Sequence, residues 1–556
     1  MDRPWLAHYD AGVRASLAYP DLTLPAFFDA TAGRYGDRVA TVFHDAKLTY
    51  RRLKGRIDRF AAGLLDAGIR PGDRVAVMLP NLPQFLVAFF GTLRAGAIVV
   101  PTNPLYTAHE LEHQLSDADA AAIVTLNHFF PRVEAALPNT DVRCVVVTDV
   151  VSALPARLQP FYGLRDRRAG GRRIAAGGVV HRFGAMLRAA PLSEPIPTGP
   201  DEVAVLQYTG GTTGTSKGAM LTHRNLIANA LQALEWQHGV DEDIDHPTVL
   251  CAAPFFHVYG LTIGMNLAVA EGATMLLVPR FITDDVVHVA ERYQPQFFPG
   301  VPTMYIALAE KSGVSPRQLG SIRVCISGAA PLDADVQHRF SGVTGARLVE
   351  GYGLTEASPV THCNPVGTGG RVGTVGVPFP DTEAMITDPE TWEPLPVGEV
   401  GEMTVRGPQV MRGYWRRPEE TAEVLRGGWL HTGDMAVMDE DGFFRIVDRK
   451  KDVIIAGGYN IYPREVEEVL LAHPKVRDAA VIGVPNAYRG ETVKAVIVLK
   501  EGMEVTTEEL AGWCRDELAA FKVPRVIEFR DDLPRSLIGK VLRRSLREER
   551  TGEGIA

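Results

Sequence analysis

The chain has 556 residues and a mass of 60.5 kDa, too long for one hydrophobic core, so we expect two to four structural units of roughly 100 to 200 residues each. Apolar residues at 46% and charged residues at 22% are typical of globular proteins. A net charge of -9 and a pI near 6.0 argue against a general nucleic-acid partner.

The cysteines and the apolar stretches exclude further classes of protein. The five cysteines are scattered without a Cys-x-x-Cys pair, which argues against a disulfide framework or a zinc site and fits a reducing cytoplasm. The N-terminus carries charges and a proline where a signal peptide would have its apolar region. The longest stretch without Asp, Glu, Lys or Arg, residues 247–270, contains prolines, glycines and polar residues, so no membrane-spanning helix is expected.

The first part of the chain alternates between strand-like and helical patterns, and the rhythm resumes after residue 200. Such alternation predicts βαβ units and an α/β fold with one or two doubly wound, largely parallel layers. We also expect a smaller β subdomain. The predicted strands are 74–79, 97–100, 120–125, 203–206, 274–278 and 323–326, and the predicted helices are 83–95, 108–116 and 226–234.

Residues 154–178 interrupt this rhythm with a segment rich in arginine and glycine. Its weak periodicity predicts an insertion on the surface. The basic residues fit either a contact with an anionic membrane or soluble phosphates, or merely a solvated loop.

Residues 208–218 form a loop dense in glycine, hydroxyl groups and one lysine, Lys217. Glycines let the backbone approach an anion closely, so successive N–H groups can converge on phosphate oxygens. The composition therefore predicts a phosphate cradle, with a flexible linker as the alternative. The loop is not a Walker A motif, because Lys217 precedes a glycine and not Ser or Thr.

The charged run 448–452 marks a second break in the chain, which we interpret as an exposed hinge. Beyond it, a helix opening at Pro463, strands at 479–484 and 493–499, and a helix at 508–520 predict a compact, mobile α+β unit. The predicted domains are an N-terminal domain at 1–448, a hinge at 449–452 and a C-terminal lid domain at 453–556.

Five segments in a fixed order resemble the adenylate-forming, AMP-binding superfamily, which includes acyl-CoA synthetases, peptide-synthetase adenylation domains and beetle luciferases. Each segment alone is weak, but the order covers nearly the whole chain. The segments are residues 208–218, Gly351-Tyr352-Gly353-Leu354-Thr355-Glu356, His431-Thr432-Gly433-Asp434, Asp448-Arg449-Lys450-Lys451-Asp452 and Gly539-Lys540.

The resemblance implies a set of nucleotide contacts, because a carboxylate must attack the α-phosphorus of ATP and the developing charge must be stabilised. Thr355 is implied to contact the α-phosphate, Glu356 to bind Mg²⁺, Tyr352 to stack on adenine, and Asp434 and Arg449 to contact ribose or phosphate. The segment containing Gly328, Ala329 and Ala330 is implied to line the adenine edge. The implied phosphate contacts are Thr209, Gly210, Gly211, Thr212, Thr213, Gly214 and Lys217.

Each of these residues also has an ordinary structural interpretation. Tyr352 fits a turn aromatic, Asp434 a turn cap and Glu356 a surface carboxylate. Lys540, which resembles the mobile catalytic lysine of the C-terminal domain, fits a solvated basic side chain. Gly539 favours the catalytic interpretation, because a glycine lets a loop tip enter a closed site.

The acceptor and the acid are predicted from two further segments. Gly457 and Gly458 resemble the segment that lines the pantetheine tunnel after a domain rotation at Lys451. His257 stands where amino-acid-activating relatives carry Asp, which argues against a free amino acid; it resembles a gate for acyl and CoA entry, or is a satisfied buried histidine. Residues 261–267 fit an apolar acyl channel or a core helix.

The detailed strings look most like bacterial long-chain fatty acid CoA ligases. The resemblance implies ATP-dependent adenylation that releases pyrophosphate, then thioester formation with coenzyme A that releases AMP, with Mg²⁺ required. The alternatives are a medium-chain or aryl (coumarate-like) acid ligase, an ADP-forming kinase or ATPase, and a non-catalytic nucleotide-binding protein. The expected partners are fatty acid, ATP and CoA and no nucleic acid. A cytoplasmic location, a homodimer and a peripheral contact at the inner membrane surface are further expectations.

Overall fold

The computed structural model of the chain describes residues 3–168, 174–209, 216–238, 244–311, 316–456, 459–486, 490–536 and 539–548. Five sheets lie within these ranges. Two layers of mainly parallel strands come first along the chain, a β subdomain follows, and the last sheet belongs to the C-terminal region.

The first layer is a seven-stranded sheet with six parallel strands and one antiparallel edge strand. Its interior strand Ala120–Leu126 is buried at every position, as expected for a parallel sheet covered on both faces. In spatial order the strands are Val180–Arg182, Cys144–Thr148, Ala120–Leu126, Arg74–Met78, Ile98–Pro101, Val203–Thr209 and Lys217–Thr222.

The second layer consists of two four-stranded sheets joined through Phe297, whose backbone bridges Val249 on one side and Val324 on the other. One sheet has the order Thr248–Cys251, Thr274–Leu277, Val39–Phe43 and Ala46–Thr49. The other has the order Val324–Ser327, Arg347–Gly353, Val360–Cys363 and Val377–Pro378.

The helix Pro83–Arg94 lies between the two layers and is buried at all of its positions. Most of its residues are apolar, and a helix with apolar residues on nearly every side belongs in a core. Its Phe85 contacts Phe255, which follows the second-layer strand Thr248–Cys251, at a ring distance of 5.6 Å. This helix therefore fixes the spacing of the layers that carry the predicted nucleotide segments.

The predicted β subdomain is an antiparallel five-stranded sheet. The chain then passes from its last strand into the C-terminal sheet between Arg449 and Ile454. The subdomain strands are Glu383–Thr387, Gly401–Arg406, Trp429–Met438, Leu425–Arg426 and Phe444–Arg449; the C-terminal strands are Tyr459–Ile461, Ile454–Ala456, Gly490–Leu499, Val476–Asn486 and Val526–Phe529.

The helices cover the sheets, and several have side-chain caps, such as the Thr107–Glu110 capping box. Among the described residues, none of them is long and apolar enough to cross a bilayer. The α and short 3-10 or π helices are Pro4–His8, Leu24–Arg34, Tyr50–Asp66, Pro83–Arg94, Ala108–Asp117, Phe130–Ala136, Leu137–Asn139, Val151–Ala153, Gln159–Arg168, Phe183–Met186, His223–Glu235, Gly260–Asn266, Leu267–Glu271, Thr283–Tyr293, Pro302–Ala309, Pro316–Leu319, Ala334–Thr344, Thr355–Ala357, Pro418–Val424, Pro463–Leu471, Thr507–Glu517 and Arg543–Glu548.

The structure confirms the predicted α/β class, the parallel layers and the smaller β subdomain. The basic insertion differs from expectation, because it contains the helix Gln159–Arg168 that its weak periodicity did not indicate. The prediction of an exposed hinge is also wrong in one respect. Asp448 and Asp452 are only 4% and 5% exposed, because arginines of the C-terminal segment bind both carboxylates.

Candidate active site

The two arms of the predicted phosphate loop form the antiparallel hairpin Val203–Thr209 and Lys217–Thr222, with Thr209 opposite Lys217. The predicted contacts Gly210, Gly211, Thr212, Thr213 and Gly214 lie outside the described residues. The outer arm is held by residues 412–415: Met220 donates its N–H to the Gly413 carbonyl at 2.8 Å, and Trp415 donates to the Gly218 carbonyl at 2.8 Å. The hairpin is thus anchored to the β subdomain side of the site.

This anchoring brings Lys217 and Glu356 to the same aromatic ring. The ammonium of Lys217 lies 5.3 Å from the centre of the Tyr414 ring, and the Tyr414 hydroxyl donates to Glu356 Oε1 at 2.7 Å. The Met411 N–H also donates to the Glu356 carbonyl at 2.7 Å, which fixes the turn Thr355–Ala357. Glu356 and Tyr414 line a cavity of about 310 Å³ together with Thr432 and Gly433.

The predicted nucleoside contacts converge from two sheets. Tyr352, on the strand Arg347–Gly353, donates its hydroxyl to Asp434 Oδ2 at 2.5 Å. Asp434 is also cross-strand partner to Arg449, whose Nε lies 3.3 Å from Asp434 Oδ1. Burial, reinforced by the Asp434 carboxylate, raises the pKa of Tyr352 above its ordinary value.

Asp434 reaches this position because of a bulge in the β subdomain. In the two paired strands, Thr404 lies opposite His431 and Glu402 lies opposite Met435. Residues 432–434 of one strand therefore lie opposite only Met403 of the other. A bulge re-aims a side chain beside an active site, and Gly433 accommodates it with a φ of +70°.

Glu402, a residue that the sequence analysis missed, holds the bulge. Its carboxylate accepts from the Gly433 N–H at 3.0 Å and from the Lys450 ammonium at 3.1 Å, and it is almost fully buried. A carboxylate inside the apolar strand Gly401–Arg406 was the signal for it. Glu402 therefore links the Asp434 turn to the first residue after Arg449.

The predicted adenine-edge segment follows the strand Val324–Ser327. Gly328 lies against the ring of Tyr259, where an added Cβ would stand 3.0 Å from a ring carbon. The Tyr259 hydroxyl donates to the Ile326 carbonyl at 2.6 Å and so fixes that ring. Ala329 has a φ of +69°, a left-handed conformation that is uncommon and strained for a residue with a side chain.

Lys540 enters the site from the C-terminal region. Gly539, with a φ of +77°, lies so close to Thr303 of the N-terminal region that an added Cβ would stand 2.6 Å from Thr303 Cγ2. Ser536 closes the loop, since its N–H donates to the Lys540 carbonyl at 2.8 Å. Burial first, then the Arg449 charge, lowers the pKa of Lys540 to about 7.

His257 faces the same space as Lys540. Its Nδ1 accepts the Tyr259 N–H at 3.2 Å, which leaves Nε2 to carry the proton of the neutral ring. Burial, with a smaller contribution from the Lys540 charge, lowers the pKa of His257 to about 4. The imidazole is therefore neutral around pH 7.

The predicted acyl and acceptor segments are less fully described. Residues 260–266 form a π-helix inside the main hydrophobic core, so an acyl channel along it stays a prediction. Gly457 and Gly458 lie outside the described residues. Lys451 is described, and burial lowers the pKa of its ammonium.

The hinge is flanked by buried ion pairs that the sequence analysis also missed. Arg543 contacts Asp448, Asp452 and Glu467, and Arg547 contacts Asp452 at 3.1 Å. Tyr414 is the third missed feature, and no motif marked it. Arg543 carries one signal, its position three residues after Lys540.

Comparisons with known proteins identify the family of the chain. The AMP-binding enzyme model matches residues 28–415, and the AMP-binding enzyme C-terminal domain model matches residues 465–540. The chain is similar to a long-chain-fatty-acid–CoA ligase of Bacillus subtilis, with 46% identity over 99% of this chain and 98% of the relative. It is also similar to a feruloyl-CoA synthase of an Amycolatopsis species, with 39% identity over 93% of this chain and 95% of the relative.

Two solved structures share the fold. The ATP-bound MatB of Rhodopseudomonas palustris has a TM-score of 0.83 and 33% identity, and covers 95% of this chain and 99% of its own. The anthranilate CoA ligase AuaEII in complex with anthranoyl-AMP has a TM-score of 0.84 and 26% identity, and covers 98% of this chain and 100% of its own. The predicted resemblance is confirmed: the chain belongs to the AMP-binding enzyme family.

Proposed function

We propose that this protein is an ATP-dependent, AMP-forming long-chain fatty acid CoA ligase. The observation that carries the proposal is the convergence at one site of Lys540 from the C-terminal region with the Asp434–Arg449 pair and Glu356 from the N-terminal region. Similarity over the full length to a long-chain-fatty-acid–CoA ligase supports the choice of acid and of acceptor.

The proposed reaction consists of two half-reactions. First, a carboxylate oxygen of the fatty acid attacks the α-phosphorus of ATP, and the bond to the bridging oxygen breaks so that pyrophosphate leaves. Next, the thiol sulfur of CoA attacks the acyl carbonyl, the thiol proton passes to water, and AMP leaves. In both half-reactions negative charge develops in the transition state, and it must be stabilised inside a closed site.

Lys540 serves the first half in this proposal. Its ammonium bridges the attacking carboxylate and the α-phosphate, two anions that would otherwise repel each other. Burial lowers the pKa of Lys540 to about 7, and anions bound beside the ammonium would favour its charged form and raise the pKa. Asp434 and Arg449 hold the ribose, and Tyr352 presents its ring to the adenine.

Glu356 fits the role of Mg²⁺ ligand. Its carboxylate accepts the hydrogen bond of Tyr414, whose ring lies 5.3 Å from the Lys217 ammonium, whereas within the described ranges no three His, Cys, Asp or Glu side chains come together as a metal site. Mg²⁺ is commonly held by one or two carboxylates plus substrate phosphates, which suits a single protein ligand. When bound, the ion would neutralise charge on the phosphates of ATP.

We further propose the domain division 1–448, hinge 449–452 and 453–556. The change from the β subdomain sheet to the C-terminal sheet between Arg449 and Ile454 supports it. A rotation there would withdraw Lys540 and bring the segment around Gly457 to the adenylate, so that one site serves both halves.

The test is CoA-dependent release of AMP across acids from acetate through octanoate and palmitate to coumarate, with amino acids as controls. We expect the highest kcat/KM with long-chain acids and no activity with amino acids. A maximum with coumarate would instead support the aryl acid ligase, which the similarity to a feruloyl-CoA synthase makes the second candidate.

A contact with the membrane surface is proposed from the basic insertion. Phe161 and Leu164 on its helix are 74% and 54% exposed, and Arg157, four residues before Phe161, is also largely exposed although it lies 3.5 Å from Asp45. Exposed apolar side chains among basic ones suit an anionic bilayer surface. Replacing Phe161 and Leu164 by Ser should abolish sedimentation with vesicles containing phosphatidylglycerol, whereas replacing the exposed Val372 should not; unchanged sedimentation of the double variant would contradict the proposal.

A homodimer is proposed as the state in solution on the predicted resemblance alone. Light scattering tests it directly, with twice the chain mass of 60.5 kDa as the expected result and the single-chain mass as the contradicting one.

A further inference from the structure

Arg543 binds three carboxylates at the junction of the two proposed domains. Its guanidinium lies 3.0 Å from Asp448, 3.4 Å from Asp452 and 2.7 Å from Glu467. The arginine side chain is only 19% exposed, and the three acids are more buried still. Charge-assisted hydrogen bonds in such surroundings are strong and depend on geometry.

The three acids do not belong to the same domain. Asp448 is part of the strand Phe444–Arg449, which pairs with Trp429–Met438 of the N-terminal region. Asp452 is the last residue of the proposed hinge, and Glu467 lies on the C-terminal helix Pro463–Leu471. Of the three contacts of Arg543, only that with Asp448 reaches the N-terminal domain, whereas Asp452 ends the hinge and Glu467 turns with the C-terminal domain.

Arg543 is fixed to the same segment as Lys540. The backbone of Val541 bridges that of Arg535, which closes the loop carrying Lys540. Three residues after Arg543, the side chain of Leu546 is buried against Ile482 and Val496 of the C-terminal sheet. A displacement of Arg543 from Asp448 is therefore a displacement of the Lys540 loop as well.

We propose that Arg543 is a positioning residue whose contact with Asp448 holds the orientation in which Lys540 enters the active site. The contact is made in that orientation and broken by the domain rotation. Glu467 and Asp452 then keep the guanidinium paired, so the rotation leaves no unpaired buried arginine. This inference rests on the proposed two-step function. It adds a residue that affects the rate of adenylate formation relative to thioester formation.

Asp448→Asn is the variant that tests this directly. The five ionic groups of the cluster are the acids Asp448, Asp452 and Glu467 with the bases Arg543 and Arg547, so removing one negative charge leaves two acids and two bases. The asparagine can still accept the Arg464 N–H, which Asp448 accepts at 2.7 Å. Loss of fold is therefore not the expected effect.

We expect Asp448→Asn to slow acyl-adenylate formation by about tenfold or more, because one hydrogen bond between charged groups is lost in the adenylating orientation alone. Thioester formation from supplied palmitoyl-adenylate and CoA should stay within about twofold of the unmodified protein or increase. Single-turnover rates of the two halves, measured separately, give both numbers.

Glu467→Gln is the matched control. Its contact with Arg543 lies within the C-terminal domain, and glutamine can still accept the Val481 N–H that Glu467 binds at 2.7 Å. The Glu467→Gln variant should change the rates of adenylate formation and of thioester formation by the same factor. Arg543→Lys repeats the test with the charge kept, because an ammonium cannot reproduce the fork of contacts to several carboxylates.

Equal slowing of both halves by Asp448→Asn and by Arg543→Lys, or no slowing of adenylation by either, would overturn the inference. If Asp448→Asn lowers the cooperative unfolding temperature too far to assay, Arg543→Lys alone decides in the same way. Failure of the proposed function looks different, since the unmodified protein would then form neither the adenylate nor the thioester.

Discussion

The hydroxyl of Tyr352 donates a hydrogen bond to Asp434 across 2.5 Å, although the two residues belong to different sheets. The contact orients both the ring proposed for adenine and the carboxylate proposed for ribose. Preorganisation of this kind lowers the cost of ordering side chains when a ligand binds.

Tyr352→Phe keeps the ring and removes only this hydrogen bond. We expect KM for ATP to rise by about three- to tenfold with little change in kcat, because the bond joins two protein groups and only part of its roughly 1.5–3 kcal/mol, about 1 kcal/mol, is felt in ATP binding. Tyr352→Leu, which also removes the aromatic face, should raise KM further. Equal KM values for the phenylalanine variant and the unmodified protein would contradict the proposed role of the Tyr352 hydroxyl in the nucleotide site.

Gly539→Ala tests whether the loop tip must approach Thr303 closely. A Cβ at residue 539 would stand 2.6 Å from Thr303 Cγ2, in a backbone conformation with φ +77° that disfavours side chains. Adenylate formation should fall by about tenfold or more while thioester formation from supplied adenylate persists. Gly502→Ala is the control, because its φ is +72° but nothing lies within 4 Å of an added Cβ; similar losses in both variants would mean that backbone strain alone is responsible.

The pH dependence of adenylation should follow Lys540. Its pKa is lowered to about 7, so the ammonium is present below pH 7 and is lost as the pH rises through that value. We expect kcat/KM for ATP to decline across this range, because kcat/KM reports the free enzyme. His257, with a pKa of about 4, stays neutral and adds no change there.

Lys540→Arg is the control for that profile. A guanidinium remains charged at every accessible pH, so the residual activity of this variant should not decline near pH 7. A decline of the same shape in the arginine variant would assign the titration to another group.

Glu402→Ala and Glu402→Gln test whether the Glu402 carboxylate both stabilises the fold and positions Asp434. Alanine leaves the buried Gly433 N–H without its acceptor and should lower the free energy of unfolding by about 1–3 kcal/mol, measured with urea. Glutamine can still accept that N–H and should cost less. Both should raise KM for ATP, because the bulge holds Asp434; unchanged KM in the alanine variant would contradict this.

The elements of the fold were predictable where they depend on local pattern. The strand predicted at 120–125 and the helix predicted at 83–95 are observed at Ala120–Leu126 and Pro83–Arg94, since uninterrupted apolar runs and a proline at the first helical turn leave few alternatives. The helix Gln159–Arg168 was missed because it has almost no apolar periodicity.

The candidate site was predictable only as far as its motifs extend. Asp434, Glu356 and Lys540 stand in recognisable strings, whereas Tyr414, Glu402 and Arg543 act through tertiary contacts with residues far away in the sequence. The buried state of Asp448 shows the same limit. A charged run indicates exposure until distant arginines are known to pair with it.

The central claim is tested most directly by the products formed from palmitate, ATP and CoA in the presence of Mg²⁺. Chromatography of the nucleotides and thioesters should give AMP, pyrophosphate and palmitoyl-CoA in equal amounts, with no ADP, and Lys540→Ala should abolish all three products. Release of ADP, or no AMP with any acid tested, would contradict the account.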